Sequence, residues 1–251
     1  MRMKDRVSVI TGASSGIGLA TAHRFAREGA TVVFADCRDA TAEASELART
    51  GVETRFVQTD VSNVSQVENL IQETLTTFGR LDVLVNNAGL ELPKTIIDTT
   101  EAEWDRLMEV NLKGVFLCSR ASIPAMRRQG GGVIVNVASE LGLVGGSEIA
   151  AYCATKGGVV QLTKAMAVDH ASDGIRVNCV CPGPVETTLL EATIQGSSDP
   201  EEERRSIVEK TLVKRVGRPE EIANVILFLA SNESSYMTGS IVVVDGGVTA
   251  H

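Results

Sequence analysis

The sequence is poor in the residues that build metal sites. Its three histidines, His23, His170 and His251, are too few and too scattered to join the five cysteines as ligands, and no Cys-x-x-Cys pair occurs. No metal centre is expected. The cysteines (Cys37, Cys118, Cys153, Cys179 and Cys181) are odd in number and fall mostly in apolar runs, so buried, reduced thiols in a cytoplasmic protein are expected instead of a disulfide framework. Positive charge is also in deficit. With 24 Lys and Arg against 32 Asp and Glu, a formal net charge of -8 and a pI near 5.0, the chain lacks the basic surface that nucleic acid or anionic lipid demands. No apolar run reaches the length of a membrane span, and the opening MRMKDRVSVITG passes from a few charges straight into a strand, without the pattern of a secretion leader. Internal repeats, low-complexity tracts and linkers are missing too, so one domain over 1–251 is expected.

What is there is an alternation. Short β-branched runs (VSVI, TVVFAD, RFVQTD, LDVLVN, GVIVNVAS, IRVNCVC and SIVVVD) alternate with segments of helical period. Strands that are apolar on both faces and separated by helices predict an α/β, doubly wound fold, a seven-stranded parallel sheet with helices on both faces. The one region that reads as irregular is Pro184 to Lys214.

The first strand runs into TGASSGIG, with Gly12, Gly16 and Gly18 at a strand-to-helix junction, followed by the amphipathic segment LATAHRFAREGA. Glycines there let backbone approach a pyrophosphate, whose charge a helix N-terminus stabilises. The second strand ends at Asp36, placed to receive the ribose hydroxyls of an adenine nucleotide and to repel a 2′-phosphate. Ser14 and Ser15 bring no cation to offset it, so NAD is favoured over NADP; Arg38 argues the other way. Asp60-Val61 lies where an adenine would rest or opens a helix as its cap. Asn86-Asn87-Ala88-Gly89 ends the fourth strand with small polar residues suited to a ligand or a sharp turn. Thr100 with Glu103 reads as a capping box, and Asn111 interrupts the apolar pattern of the helix it opens.

Ser139 closes the fifth strand, at the carboxyl edge where open α/β sheets place ligands. Tyr152 and Lys156 stand four apart in a helical segment and leave from one face. An ammonium within about 4 to 6 Å of a phenol is expected to lower its pKa, which would let Tyr152 accept an alcohol's proton.

Taken together, TGASSGIG, Asp36, Asp60-Val61, NNAG, Asn111, Ser139, YCATK, Pro182-Gly183 and the final VDGG resemble the short-chain dehydrogenase/reductase family over essentially the whole chain. The resemblance implies a Rossmann fold and a proton-transfer set of Asn111, Ser139, Tyr152 and Lys156. Tyr152 would be the general acid or base, Ser139 would hold the substrate oxygen, Lys156 would bond the nicotinamide ribose, and Asn111 would anchor a water that passes the proton on. It also implies a dinucleotide site: Gly12, Ser14, Ser15, Gly16, Ile17 and Gly18 at the pyrophosphate, Asn87 with Ala88 and Gly89 at the ribose, and Pro182, Gly183, Val185 and Thr187 at the carboxamide end. Cys181, before Pro182, departs from the family's usual small or polar residue.

Residues 90–94 and 140–149 and a mobile lid at about 184–214 are expected to wall the substrate. Leu141, Leu143, Val144, Leu189 and Leu190 suit a secondary alcohol or ketone. Glu91, Glu140 and Glu148 suit a polyol, as in a glucose-type dehydrogenase, and a 3-oxoacyl-carrier reductase is a further alternative. An NAD-binding regulator on the same fold is the non-enzyme alternative. EEERR is expected to be a solvated helix face. Apolar residues on several faces of the helices at 104–128 and 152–169 predict a second surface to cover, and a homotetramer meeting through these helices and the last strand.

Overall fold

The computed structural model describes residues 1–250; His251 lies outside the described residues. The seven β-branched runs become β1 (Val7–Thr11), β2 (Thr31–Asp36), β3 (Thr54–Gln58), β4 (Val83–Asn86), β5 (Gly132–Val137), β6 (Ile175–Pro182) and β7 (Ile241–Val244). They form one sheet in the order β3-β2-β1-β4-β5-β6-β7, every pair parallel. β1 and β4 are buried residue by residue along their length, because helices cover both faces of the sheet. The winding reverses between β1 and β4. Chain leaving those two strands therefore diverges and opens a crevice beyond their carboxyl ends.

The helices are α1 (Gly16–Ala26), α2 (Thr41–Ala48), α3 (Val64–Phe78), α4 (Glu101–Met108), α5 (Gly114–Arg128), α6 (Ala150–His170), α7 (Thr188–Gly196), α8 (Pro200–Lys210) and α9 (Pro219–Ala230). On one face of the sheet Phe25 of α1, Leu227 of α9 and Phe34 of β2 belong to one buried cluster. On the other, Leu70 of α3 and Met126 of α5 pack against Leu84 of β4 and Ile134 of β5. Each such buried side chain contributes about 1.5–3 kcal/mol relative to exposure.

The Thr100–Glu103 capping box forms as expected, with Thr100 Oγ1 accepting from Glu103 N–H at 3.3 Å and Glu103 Oε2 accepting from Thr100 N–H at 3.0 Å. Between α4 and α5 the helix does not break. It widens into a π turn at Glu109–Lys113, which places Asn111 at its middle. Such turns are rare and gather at functional sites.

Three expectations need correction. The stretch 184–214 is not irregular: it holds α7, capped by Thr187, and α8, capped by Asp199, tied together by the Arg204–Glu191 ion pair. With no buried residue in α8, apolar periodicity had nothing to reveal there, and its EEERR face is solvated as expected. The cap of α3 is Asn63, whose side chain accepts from Gln66 N–H at 3.2 Å, and not Asp60. Among the cysteines, Cys118, Cys179 and Cys181 are buried but Cys37 is exposed just past the end of β2.

Candidate active site

The crevice is bounded on one side by the turn between β1 and α1. Gly16 there has φ +53°, a left-handed conformation that only glycine adopts without strain. A Cβ at Gly18 would stand 2.1 Å from Gly12 O, so helix and turn can close only with glycine at that place. α1 begins with no side-chain cap and no acidic residue in its first turn, which leaves its N–H groups and dipole uncompensated. A narrow turn that ends in an open helix N-terminus fits a pyrophosphate.

Thr11 was not singled out from sequence, yet it organises this edge. Its hydroxyl donates to Val85 O at 3.3 Å and accepts from Asn87 N–H at 3.0 Å and Ala88 N–H at 3.1 Å. The Asn87 side-chain amide donates to Thr11 O at 3.0 Å and Gly12 O at 3.1 Å. Its nitrogen thus braces the glycine turn, which leaves only the side-chain oxygen for a ribose.

Asp36 ends β2 with its carboxylate buried. One oxygen accepts from Ser14 N–H at 3.0 Å, the other from Arg38 N–H at 3.0 Å. Burial pushes this carboxyl up, but these donors, the Arg38 N–H foremost, outweigh it and hold the group below its usual value. The Arg38 guanidinium folds back across the turn, 2.8 Å from Ser15 Oγ and 3.8 Å from Asp36. Asp60 faces elsewhere. One of its oxygens accepts from Ser62 and the other meets Arg106 at 3.3 Å, while neighbouring Val61 is buried against Gly114.

Opposite the turn, α6 brings Tyr152 and Lys156 into the crevice beneath Ser139, which follows β5. Lys156 Nζ donates to Val137 O at 3.0 Å and lies 5.5 Å from the centre of the Tyr152 ring. Burial draws the lysine down to about 8, opposed by Cys179, Cys181, Glu91 and Glu140. The expected depression of the phenol does not arise from this arrangement. Burial raises the Tyr152 hydroxyl, Glu91 and Glu140 raise it further, and Ser139 opposes them weakly. The ammonium is engaged by a backbone carbonyl, and two carboxylates stand nearer in effect than one cation.

Those carboxylates are the feature with the least sequence signal. Glu91 is pushed up to about 7, by burial first and Glu140 second, with Lys156 opposing. Glu140 is raised by burial, against the hydrogen bond from Ser139. Glu148 lies exposed on the rim. Asn111 reaches the site indirectly, its side-chain amide bonded to Leu90 backbone and, at 3.2 Å, to Thr155 Oγ1. Cys179 and Cys181 sit 4.0 Å apart, sulfur to sulfur, behind Lys156. Beyond Pro182, Gly183 packs against Asp245, Val185 is buried beside Gly217, and Thr187 Oγ1 accepts from Leu190 N–H at 3.2 Å. Among the described residues no group of three or more His, Cys, Asp and Glu could hold a metal ion, and no helix is long and apolar enough to cross a membrane.

A family model described as enoyl-(acyl carrier protein) reductase matches residues 12–249. The chain belongs to the short-chain dehydrogenase/reductase family. As a member it is an oxidoreductase that works with a nicotinamide cofactor. It is 41% identical to a 3-oxoacyl-[acyl-carrier-protein] reductase of Thermotoga maritima over 99% of both chains. It is 40% identical to the meso-2,3-butanediol dehydrogenase of Serratia marcescens, over all of this chain and 97% of that one. The crystal structure of a levodione reductase superposes with a TM-score of 0.95 at 37% identity, covering 99% of each chain.

Proposed function

We propose that this short-chain dehydrogenase/reductase is NAD-linked and interconverts a secondary alcohol and its ketone, with Tyr152 as the proton-transfer group. One observation carries the reading: a Cβ at Gly89 would stand 3.6 Å from Lys156 Nζ and one at Gly12 2.8 Å from Ala88, so the loop after β4 joins the Tyr152–Lys156 side to the glycine turn, and a carbinol carbon and a dinucleotide would meet there. Hydride exchange is the chemistry a bound nicotinamide supplies. Ser139 and Tyr152 hold the substrate oxygen between them. The raised phenol of Tyr152 is neutral, the form that gives a proton to a ketone oxygen. In the reverse direction the phenolate would form against burial, Glu91 and Glu140, beside a Lys156 that is drawn down to about 8 but still largely charged near neutrality. With the Asn111 side chain engaged by Leu90 and Thr155, a relay water would be received by the main chain of the π turn.

NAD is favoured because a buried, ionised Asp36 repels a 2′-phosphate, while Arg38 is turned onto Ser15. An apolar substrate is favoured by Leu90, Leu143, Val144 and Leu189, all exposed on the segments that follow β4, β5 and β6. Kinship with a butanediol dehydrogenase agrees with a small secondary alcohol. Glu91 and Glu140 beside Tyr152 support a polyol as the second reading. The stretch 184–214 acts as a lid, its Thr188 hydroxyl 3.5 Å from Ser15 Oγ on the glycine turn. The enzyme assembles as a homotetramer, a reading supported by exposed Phe116 and Val168 on α5 and α6, and works in the cytoplasm, a reading supported by five free cysteines.

The test is Tyr152→Phe in an NADH-absorbance assay over secondary alcohols, polyols, aldoses and 3-hydroxyacyl thioesters. Turnover should fall by about 10²–10⁴ while NADH binding by fluorescence changes little. Unchanged turnover would remove the role given to Tyr152, and equal efficiency with NADP would remove that given to Asp36.

A further inference from the structure

The Ser139 hydroxyl donates to Glu140 Oε2 at 2.6 Å and accepts from Leu141 N–H at 3.2 Å. A serine hydroxyl carries one proton. While Glu140 holds that proton, Ser139 has only a lone pair to offer a substrate oxygen. The developing charge on that oxygen during hydride transfer is stabilised by donors, not acceptors. The two partners of Ser139 therefore set it against the task assigned to it.

We propose that Glu140 is a positioning residue that sets the direction of the Ser139 hydroxyl, withholding its proton from substrate as a carboxylate and releasing it as a carboxylic acid. On taking a proton from water, Glu140 becomes a donor to Ser139 Oγ, and the serine hydroxyl turns toward the substrate oxygen. No other bond changes. The inference rests on the substrate-oxygen role proposed for Ser139.

The surroundings favour a titratable Glu140. Glu91 faces it from the loop after β4, Asp245 from the turn after β7, and Tyr152 and Lys156 from α6. Lys156 is the one cation in that set. Burial first, and Asp245 after it, raise the Glu140 carboxyl above its ordinary range, against the bond from Ser139. The wild-type enzyme thus carries both forms of Glu140 as pH changes, and the donor form of Ser139 belongs to the lower-pH side.

Glu140→Gln tests this, because Gln carries a permanent donor in the same place. Initial rates of 2,3-butanedione reduction by NADH are measured from about pH 6 to about pH 9 for wild type, Glu140→Gln, Ser139→Ala and the double variant. The ratio of kcat/KM, Glu140→Gln over wild type, should rise about tenfold across that range, one donor's share of transition-state stabilisation. In the Ser139→Ala background the same ratio should stay flat. A flat ratio with Ser139 present, or an equal rise without it, overturns the proposal. Ser139→Ala with wild-type kcat/KM removes the substrate-oxygen role itself and the proposal with it. A second measurement needs no turnover: in protein labelled with ¹³C-carboxyl glutamate, Ser139→Ala should move the Glu140 titration to higher pH, since the carboxylate loses a donor. An unmoved titration overturns the proposal independently of any substrate.

Discussion

Asn111 grips the backbone of Leu90 from both sides, its side-chain oxygen accepting from Leu90 N–H at 2.8 Å and its amide nitrogen donating to Leu90 O at 2.8 Å. The π turn at Glu109–Lys113 is what brings Asn111 to that loop. Asn111→Leu leaves two backbone groups without partners, at a cost of about 1–3 kcal/mol each where water cannot replace the bonds. Urea denaturation should show that loss, and kcat should fall with it because the loop carries Glu91 beside Tyr152. Asn111→Asp keeps the acceptor and loses the donor, so its stability should lie between the two. A variant as stable and as active as wild type would show that the clamp is dispensable.

Asp36→Asn keeps the shape at the end of β2 and removes the charge. It can still accept from Ser14 or Arg38, but it no longer repels a phosphate, and Arg38 is released from its ion pair. The ratio of kcat/KM for NADP over NAD should rise about ten- to hundredfold, the scale of one charge interaction at an effective dielectric between water and protein. Steady-state rates with both cofactors measure it. A ratio that does not move would mean that Asp36 has no part in the choice.

The architecture was legible because its signals are repeated: seven β-branched runs each say the same thing, and helices between them leave only a parallel sheet. The places of several candidate site residues were legible: Asp36, Asn87 and Ser139 stand at or just past a strand's carboxyl end, and Tyr152 and Lys156 lie on one helical face. What sequence could not supply is what depends on packing. Helix α8 is built on an exposed face without apolar period, and α7 buries only Ile194, so the stretch reads as irregular. Thr11 carries no signal beyond an ordinary hydroxyl, although it joins the ends of β1 and β4. The shift of Tyr152 went the other way from the expectation because spacing shows that Lys156 is near, but not that Val137 O engages it or that Glu91 and Glu140 face the same ring.

Phe116 and Val168 remain 45% and 81% exposed on α5 and α6. Beside Phe116 runs a groove of about 660 Å³ lined by Met108, Leu112, Gly158, Leu162 and Ala165. An apolar face of that kind is the surface expected to meet a second copy. Phe116→Asp should shift sedimentation from tetramer to smaller species at micromolar concentration without unfolding the subunit, since the side chain is outside the core. A wild-type protein that sediments only as monomer overturns the assembly.

Glu91 gives a pH dependence of stability whose sign can be worked out. Its carboxyl lies at about 7 in the folded protein against an ordinary 4.5, raised by burial and then by Glu140. Between those two values the folded state binds the proton that the unfolded chain has already released. Stability from this group is therefore full below the unfolded value, declines as pH climbs toward the folded one, and stays lost above it. Glu91→Gln removes the decline. At alkaline pH the variant should be more stable than wild type by about 3 kcal/mol, and near pH 4 the two should match. Relief of the repulsion should also let Glu140 and Tyr152 ionise at lower pH, so the alkaline limb of the rate profile should move down in the same variant. Guanidinium unfolding at a series of pH values, set beside kcat against pH, measures both. Equal stability of variant and wild type at every pH would show that Glu91 is solvated in solution and that its proximity to Tyr152 carries no energetic weight.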